Sequence, residues 1–345
     1  MIDFSTAPEL ELLRDTAARF ASDHLRGNAR EHESVRGVTD AAARAWRDTG
    51  LGLLEFPGEN GGAGLGALAR VLVNEELGAA DPGATLALDS SATGLYVSAI
   101  HPAQRVVVVC DLESRLTVAG GRLSGSLPWV PADEPAVVAV LSREGAAVAG
   151  APKVLEILRG SGLRAAGASA VNLDGVEVLS QWSDRAAAAT ALARVRLYTA
   201  SLLLGVMREA CEYSRAYAVD RVVFGRPVAH HQGMAFMIAD MAMAVEACRL
   251  LLHEAAWKLD RGDSDAAAVC ARALVEACEQ SMFVTPSALQ LLGGHGFMQD
   301  HPVEKFMREA RTLSLMAGGV DAARDDGGAA LVDAARVEVA RTGGS

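Results

Sequence analysis

The hydrophobic period of this 345-residue chain changes twice along its length, and that change limits the folds open to it. Apolar residues recur at helical spacing near both ends, over residues 10–20 and 237–259. Between them, short β-branched runs such as residues 106–109 indicate strands. The pattern predicts an α+β architecture with a helical domain over residues 1–104, a small β-domain over 105–182 and a helical bundle over 183–345.

Capping and turn residues predict where the individual elements end. Helices are expected over residues 8–20, 40–48, 67–77, 233–261, 265–283 and 303–315. Gly50, Gly78 and Gly262 are the expected stops. The glycine run of residues 57–66 lacks a preceding strand and a Lys-Ser/Thr pair, so it is predicted to be an interhelical turn and not a phosphate loop. Residues 173–178 alternate around Asp174-Gly175, which predicts a β-hairpin.

Composition excludes several classes of function. The 32 Lys+Arg against 43 Asp+Glu give a net charge of −11, which argues against binding of nucleic acid through clustered cations. No apolar run approaches the roughly 20 residues that a membrane span needs. The N-terminus is acidic from its third residue, unlike a secretory or transit peptide. Five scattered cysteines are typical of a reducing compartment, so a cytoplasmic protein is expected.

Three local motifs occur in a fixed order. The first runs from Trp46 through GGAGLG to VLVNEELG, and the second is Arg221-Val-Val-Phe224-Gly225 with Gln232 seven residues after the glycine. The third is Gln290-Leu-Leu-Gly293-Gly294-His-Gly-Phe. In order and spacing, these motifs resemble the acyl-CoA dehydrogenase family over nearly the whole chain.

The resemblance implies a fold, a reaction and a cofactor. The family has an α-helical domain, a β-barrel-like domain and a four-helix bundle, usually assembled as a tetramer. Its members remove a proton from the carbon next to an acyl thioester and transfer a hydride from the next carbon to FAD. An electron-transfer flavoprotein usually reoxidises the flavin. By length, the β-domain of this chain looks trimmed relative to the family.

In the family, the second and third motifs reach across a subunit interface to the diphosphate and adenosine end of the neighbour's FAD. The residues that this implies here are Arg221, Phe224, Gly225, Gln232, Gln290, Gly293 and Gly294. An arginine can pair bidentately with a phosphate, and adjacent glycines let backbone N–H groups approach it closely. His295 is not expected to be catalytic, and His230-His231 is not expected to bind a metal.

The family's catalytic base, a glutamate, is missing from both of its usual positions. The resemblance places it at Ala317 or, in some members, 26 residues before Arg221 at Val195, and no acid occurs over residues 185–205. The flavin-ring side also departs from the family pattern. Residues 106–113 lack the expected prolines, glycines and hydroxyls, and Pro131 stands where a threonine donor is expected.

These features predict the non-catalytic partner subunit of a heteromeric, FAD-dependent acyl-CoA dehydrogenase, inactive on its own. A base-containing subunit would bind most of the acyl-CoA, as in two-plus-two heterotetramers that act on steroid side-chain thioesters. One alternative is a homo-oligomeric flavoprotein with another base or non-oxidative chemistry, for which Asp321, Asp325 and Asp326 are the nearest acids. A scaffold protein without FAD is the other.

Overall fold

A computed structural model describes residues 7–97, 106–150 and 152–342. Local signals at the ends of the N-terminal helices explain where these helices begin and end. Pro8 starts the first helix. The Thr39 hydroxyl caps the helix that begins at Asp40 by accepting a hydrogen bond from the Ala42 N–H at 3.2 Å, and Gly50 ends that helix at φ 70°. The helices are α1 Pro8–Phe20, α2 Ala29–Val35, α3 Asp40–Thr49, α4 Ala67–Ala80, α5 Pro82–Leu88 and α6 Ser90–Val97.

The predicted stop at Gly78 is wrong, because α4 continues to Ala80. Gly78 instead allows α4 to lie close to a long helix of the C-terminal domain. A Cβ at Gly78 would lie 2.5 Å from the Leu202 carbonyl oxygen, and one at Gly205 would lie 2.2 Å from the Glu75 carbonyl oxygen. The two glycines therefore serve helix packing at this crossing, not helix termination.

The middle of the chain forms two sheets. One has six strands in the order β1-β5-β6-β9-β3-β2, and the other has three in the order β4-β8-β7. The strands are β1 Val107–Cys110, β2 Thr117–Ala119, β3 Arg122–Ser124, β4 Ser126–Val130, β5 Val138–Leu141, β6 Gly145–Ala149, β7 Lys153–Ile157, β8 Ser169–Asn172 and β9 Val176–Ser183. The domain boundary expected at 104/105 lies outside the described residues.

The hairpin predicted around Asp174-Gly175 is wrong. The turn is present, with Gly175 at φ 74°, but the two strands that it joins do not pair with each other. β8 pairs with β4 and β7, whereas β9 pairs with β6 and β3. The alternating pattern of a strand does not say which neighbour it pairs with, so the turn here passes from one sheet to the other.

Five helices make up the C-terminal domain: α7 Arg185–Asp220, α8 Gln232–Arg261, α9 Ala266–Leu292, α10 Val303–Leu313 and α11 Gly319–Thr342. A short hairpin of β10 Val222–Val223 and β11 Arg226–Pro227 follows α7. Helices α7 to α10 pack on one another, and α11 packs on α9. The predicted stripe on α8 is confirmed in its buried Met241, Val245, Cys248, Leu252 and Leu259. Helix α9 extends nine residues beyond its predicted end and carries Gln290.

Two sets of polar contacts join the N-terminal and C-terminal domains, one at the surface and one buried. The Asp260 carboxylate accepts hydrogen bonds from the N–H groups of Ala67, at 2.6 Å, and Leu68, at 3.1 Å, at the start of α4. Lys305, only 1% exposed, pairs with Asp81 at 2.9 Å and with Glu309. These contacts and the α4–α7 crossing pack the N-terminal helices against the C-terminal helices. The order of helical, β and helical regions along the chain is as predicted.

One described helix, α7, is long and apolar enough to cross a membrane by length and composition alone. Within its most apolar 18-residue window, 89% of the residues are buried inside the protein. Such burial is typical of the central helix of a packed core.

Candidate functional site

An exposed hairpin follows the C-terminus of α7. Its tip is Phe224-Gly225, with φ values of 50° and 81°, as in a two-residue type I′ turn. Glycine adopts this conformation freely, whereas a phenylalanine held there costs on the order of 1 kcal/mol. The Phe224 ring is 97% exposed, so the hairpin presents an aromatic side chain to solvent and not to this chain's own core.

Side chains at the base of this hairpin fix its position. The His231 ring nitrogen Nδ1 lies 3.2 Å from an Arg226 guanidinium nitrogen, and Nε2 lies 3.2 Å from the Val223 carbonyl oxygen. Gln232, the next residue, is the exposed first residue of α8. His231 therefore has a structural role between the hairpin and α8. Within the described ranges, no group of three or more His, Cys, Asp or Glu residues is arranged to hold a metal ion.

The loop after α9 has an open side and a packed side. Gln290 is exposed in the last turn of α9, and Gly293 leaves the helix at φ 57°. A Cβ built on Gly293 or Gly294 meets no atom within 4 Å, whereas one on Gly296 would lie 2.5 Å from the Leu289 carbonyl oxygen. The first two glycines leave their backbone accessible from outside, and Gly296 is needed for packing.

Two tyrosine–histidine hydrogen bonds join this loop to the end of α7. The Tyr217 hydroxyl lies 2.6 Å from His295 Nδ1, and the Tyr213 hydroxyl lies 2.7 Å from His301 Nδ1. Tyr217 is one helical turn before Arg221. The structure thus brings the second and third sequence motifs to one edge of the molecule, which we call the α7–α9 edge (Arg221, Phe224, Gly225, Gln232, Gln290, Gly293 and Gly294).

The Arg221 side chain is exposed and makes no hydrogen bond or ion pair with the residues that the structure describes. Most other arginines near the domain contacts are paired, as Arg208 is with Glu76 at 2.7 Å. A guanidinium without an internal partner keeps all five of its donors available to an anion. The α7–α9 edge therefore offers a free cation, two amide side chains and an open backbone.

Val195 on α7 and Ala317 before α11 line one small cavity. Its volume is about 40 Å³, and both residues are 6% exposed. The remaining wall is mostly apolar, with Val106, Pro131 and Met316 among its members. The two positions at which the resemblance implies a glutamate are therefore neighbours in space, and an apolar side chain stands at each.

A carboxyl group that the sequence analysis missed lines the same cavity. Asp89 is 1% exposed, and its Oδ2 accepts hydrogen bonds from the Tyr198 hydroxyl at 3.0 Å and from Arg70 at 2.8 Å. Its Oδ1 is buried and has no partner among the residues described. Burial raises the pKa of Asp89 to about 7, although the neighbouring Arg70 opposes that shift. The sequence analysis predicted no helix end near residue 89, so no local signal singled out this aspartate.

Asp89 belongs to a buried network of ion pairs in which one arginine contacts two carboxylates. Arg70 also pairs with Glu55 at 2.8 Å, and Arg194 contacts Glu55 at 3.3 Å. Burial raises the pKa of the Tyr198 hydroxyl well above its usual value, and that hydroxyl therefore stays a donor to Asp89. Asp89 shares its arginine with Glu55, whereas Glu55 has Arg194 as a second cation.

The acids considered from the sequence lie elsewhere. The Asp321 side chain is 90% exposed and bonds to Arg324 at 2.9 Å. Asp326 pairs with Arg143 and Arg196 on the far side of α7. Neither of these, nor Asp325, is among the residues that line the cavity beside Ala317.

A second cavity of about 370 Å³ adjoins the first. Trp129, Pro131 and residues 315–318 line it together with the end of β1 and the turn that follows. Both Asp111 oxygens accept backbone N–H bonds within that turn, from Arg115 at 3.1 Å and Leu116 at 2.8 Å. The cavity is thus mostly apolar, with carboxylates of Asp111 and Glu113 at its border.

Family profiles match the two helical domains. The acyl-CoA dehydrogenase N-terminal domain matches residues 7–103, and the C-terminal domain matches residues 185–332. A cyclohex-1-ene-1-carbonyl-CoA dehydrogenase from Geobacter metallireducens is 41% identical over 123 residues, which is 36% of this chain and 32% of that protein. The short-chain specific acyl-CoA dehydrogenase of Clostridium acetobutylicum is 38% identical over 36% of this chain and 32% of its own. The matches thus span about a third of these relatives.

Solved structures share the whole fold. The butyryl-CoA dehydrogenase of Megasphaera elsdenii superposes with a TM-score of 0.83 at 20% identity, covering 96% of this chain and 100% of its own. A variant of the Tcur3481–Tcur3483 steroid ACAD superposes with a TM-score of 0.81 at 24% identity, over 95% and 99% of the two chains. At such identities the likeness concerns the fold alone. Since both helical domains match the family profiles, and the complete fold matches solved members, the chain belongs to the acyl-CoA dehydrogenase family.

Proposed function

We propose that this chain is the non-catalytic subunit of a heteromeric, FAD-dependent acyl-CoA dehydrogenase that forms a double bond next to an acyl-CoA thioester. One observation carries the proposal: apolar side chains, Val195 and Ala317, stand at both positions where the resemblance implies the base, while the α7–α9 edge stays open. Ala317 also lines the adjoining cavity of about 370 Å³, which falls within the 300–1,000 Å³ typical of ligand pockets, so this position lacks the glutamate and not the space.

The α7–α9 edge fits one end of FAD. When bound, FAD supplies the hydride acceptor for the oxidation. In this role Arg221 pairs with a phosphate of the diphosphate, and the backbone N–H groups at Gly293 and Gly294 approach it without a Cβ in the way. Gln232 and Gln290 supply amide donors. Phe224, with its neighbour Gly225 completing the turn, covers the cofactor with an apolar face.

The flavin-ring side of this chain fits FAD poorly. Pro131 has no N–H to donate, and the Asp111 oxygens are already engaged by backbone N–H groups. Arg115, the cation at the cavity of about 370 Å³, is already paired with Glu113. The open edge and the poor ring site together support a chain that completes a neighbour's FAD site and lacks an active one of its own.

An exposed apolar stripe on α8 supports assembly with another chain. Four large side chains at seven-residue intervals face solvent there, 51–63% exposed: Phe236, Met243, Leu250 and Trp257. Unpaired apolar stripes of this length are typical of subunit contacts. Asp240, Glu246 and Glu254 flank the stripe, and the chain carries a net charge of −11. A partner with basic residues therefore complements this face.

The partner in this proposal is a base-containing acyl-CoA dehydrogenase subunit, which binds most of the acyl-CoA and supplies the glutamate. An electron-transfer flavoprotein takes up the electrons. The heterotetramer implied by the resemblance accords with the Tcur3481–Tcur3483 steroid ACAD among the structural neighbours, and it makes a steroid or other lipid thioester the substrate class to test first. A reducing, cytoplasmic location fits the unpaired cysteines, four of which are buried.

Purification alone and with the base-containing subunit tests the proposal. The chain alone should contain no flavin and oxidise no acyl-CoA, whereas the joint complex should hold about one FAD for each pair of chains and should be active. Absorbance at 450 nm, light scattering and turnover with an artificial acceptor measure these properties. A flavin-replete homo-oligomer that oxidises acyl-CoA unaided would contradict the proposal, and a complex without flavin would favour a scaffold.

Asp89 favours one alternative, a homo-oligomeric flavoprotein with a different base or non-oxidative chemistry. It is the acid in the cavity at the two vacant base positions, and one of its oxygens is unpartnered among the described residues. This alternative predicts acyl-CoA turnover, or exchange of a proton next to the thioester, by the chain alone. Replacing Asp89→Asn would then abolish that activity, while Asp321→Asn, at an exposed acid, would leave it unchanged.

A further inference from the structure

A third cavity, of about 360 Å³, lies between the β-domain and the start of the C-terminal bundle. Its walls come from the β5–β6 turn, the first turns of α7, the start of α9 and the middle of α11. Arg143, Arg196, Ser264, Ala268 and Asp326 line it. It shares no lining residue with the cavities beside Ala317.

Two arginines and one carboxylate meet at this cavity. Arg196 is 3% exposed and donates to Asp326 Oδ2 at 2.7 Å, and Arg143 pairs with the other oxygen. Although burial opposes it, hydrogen bonds from both arginines lower the pKa of Asp326, so its charge persists at neutral pH. The Nε of Arg196 is buried without a partner among the described residues. One positive charge thus remains unbalanced, and one buried donor is unused.

The N-terminus of α9 adds to the positive field. The Asp265 side chain does not cap this 27-residue helix, since it bonds to Lys258 at 2.7 Å instead. The N–H groups of Ala267 and Ala268 have no acceptor among the residues described, and both residues line the cavity. Free N–H groups at the first turn of a long helix carry the positive end of its dipole and bind anions.

We propose that this cavity binds a phosphate group. The Arg143 and Arg196 guanidinium groups, the first-turn N–H groups of α9 and the Ser264 hydroxyl would donate to its oxygens. Asp326 pairs with both arginines and therefore competes with the ligand for them. The cavity is larger than one phosphate, so the group could belong to free inorganic phosphate or to a nucleotide. The inference stands apart from the proposed function, because it uses neither the α7–α9 edge nor a partner.

Calorimetric titration of the purified full chain in phosphate-free buffer tests this site, with inorganic phosphate and adenosine 5′-monophosphate as probes. Saturable binding of either probe is expected. Arg143→Gln should weaken it about tenfold or more, because a charge-assisted donor is lost. Asp326→Asn should tighten it, because the competing anion is removed. Tighter binding of the nucleotide than of phosphate would identify a nucleotide as the source, and equal or weaker binding would identify free phosphate.

Arg185→Gln is the matched control. Arg185 lies at the start of α7, pairs with Glu144 on the surface and does not line the cavity. The Arg185→Gln substitution should leave the affinities for inorganic phosphate and adenosine 5′-monophosphate unchanged. The proposal is overturned if neither probe saturates below about 10 mM, if Arg143→Gln and Arg185→Gln weaken binding equally, or if Asp326→Asn fails to tighten it. All three variants change side chains at least a quarter exposed, and circular dichroism checks that each stays folded.

Discussion

The most direct physical test concerns Asp89, where burial and a neighbouring cation act in opposite directions on one carboxyl. Its pKa is raised from 3.8 to about 7 because burial outweighs Arg70. The folded protein therefore favours the protonated form. Stability from this group is complete below pH 3.8 and is lost as the pH rises through about 7.

The size of the effect follows from that interval. From 3.8 to about 7 is roughly three pH units, and at about 1.36 kcal/mol for each the wild type loses about 4 kcal/mol. An asparagine at position 89 keeps the side-chain shape but cannot ionise. The free energy of unfolding of Asp89→Asn minus that of the wild type should therefore increase by up to about 4 kcal/mol between pH 4 and pH 8.

Urea unfolding of both proteins at half-unit pH steps measures this difference, and other titrating groups cancel in it. Asp321→Asn is the control, because it makes the same substitution at a carboxylate that is 90% exposed and lies outside the cavity. A flat profile for Asp89→Asn would mean that Arg70 compensates burial fully. A profile that falls with pH would mean that Arg70 outweighs burial. Either result refutes the reasoning and also removes the support for Asp89 as a base that titrates near neutrality.

Three further predictions address the open edge, the closed cavity and the domain contact. Arg221→Ala should weaken FAD binding in the joint complex about 10- to 100-fold, measured by flavin retention, without altering the melting temperature of the isolated chain. Ala317→Glu should give no acyl-CoA oxidation by the chain alone and should lower its stability by about 1–3 kcal/mol, because the carboxyl is buried without a partner; clear turnover would contradict this. Lys305→Met should lower the free energy of unfolding by about 3–5 kcal/mol, because it leaves Asp81 and Glu309 buried without their cation, and a loss below about 1 kcal/mol in urea unfolding would contradict that reasoning.

The sequence predicted the fold where the signal was local. The apolar stripe of α8 and its stop at Gly262, at φ 69°, depend on residues within a few turns of one another. The errors concern contacts between distant segments. Gly78 looks like a helix stop until Leu202 lies against it, and Asp174-Gly175 looks like a hairpin turn until its two strands enter different sheets.

The candidate site divides in the same way. The residues of the α7–α9 edge stand at helix ends and turns and were predicted from the family resemblance of two motifs, which the fold brings to one edge. Asp89 was missed because its partners Arg70 and Tyr198 lie 19 and 109 positions away in the sequence. The convergence of Val195 and Ala317 on one cavity likewise required the fold, although the absence of an acid at both positions was evident from the sequence.

The flavin-ring side and the α7–α9 edge differ in how well they fit FAD, and the residues on each side suggest why. Restoring a glutamate at position 317 would not give Pro131 a donor or free the Asp111 oxygens, so the poor fit of the flavin-ring side does not depend on a single residue. Phe224, by contrast, holds a left-handed backbone at a cost in free energy and is 97% exposed, and its ring meets His231 only edge-on, with 6.3 Å between the ring centroids. A chain that bound nothing there would be more stable with glycine at this turn. The conformation of Phe224 is therefore best explained by a contact with a neighbouring subunit or its cofactor, which is the role proposed here for the α7–α9 edge.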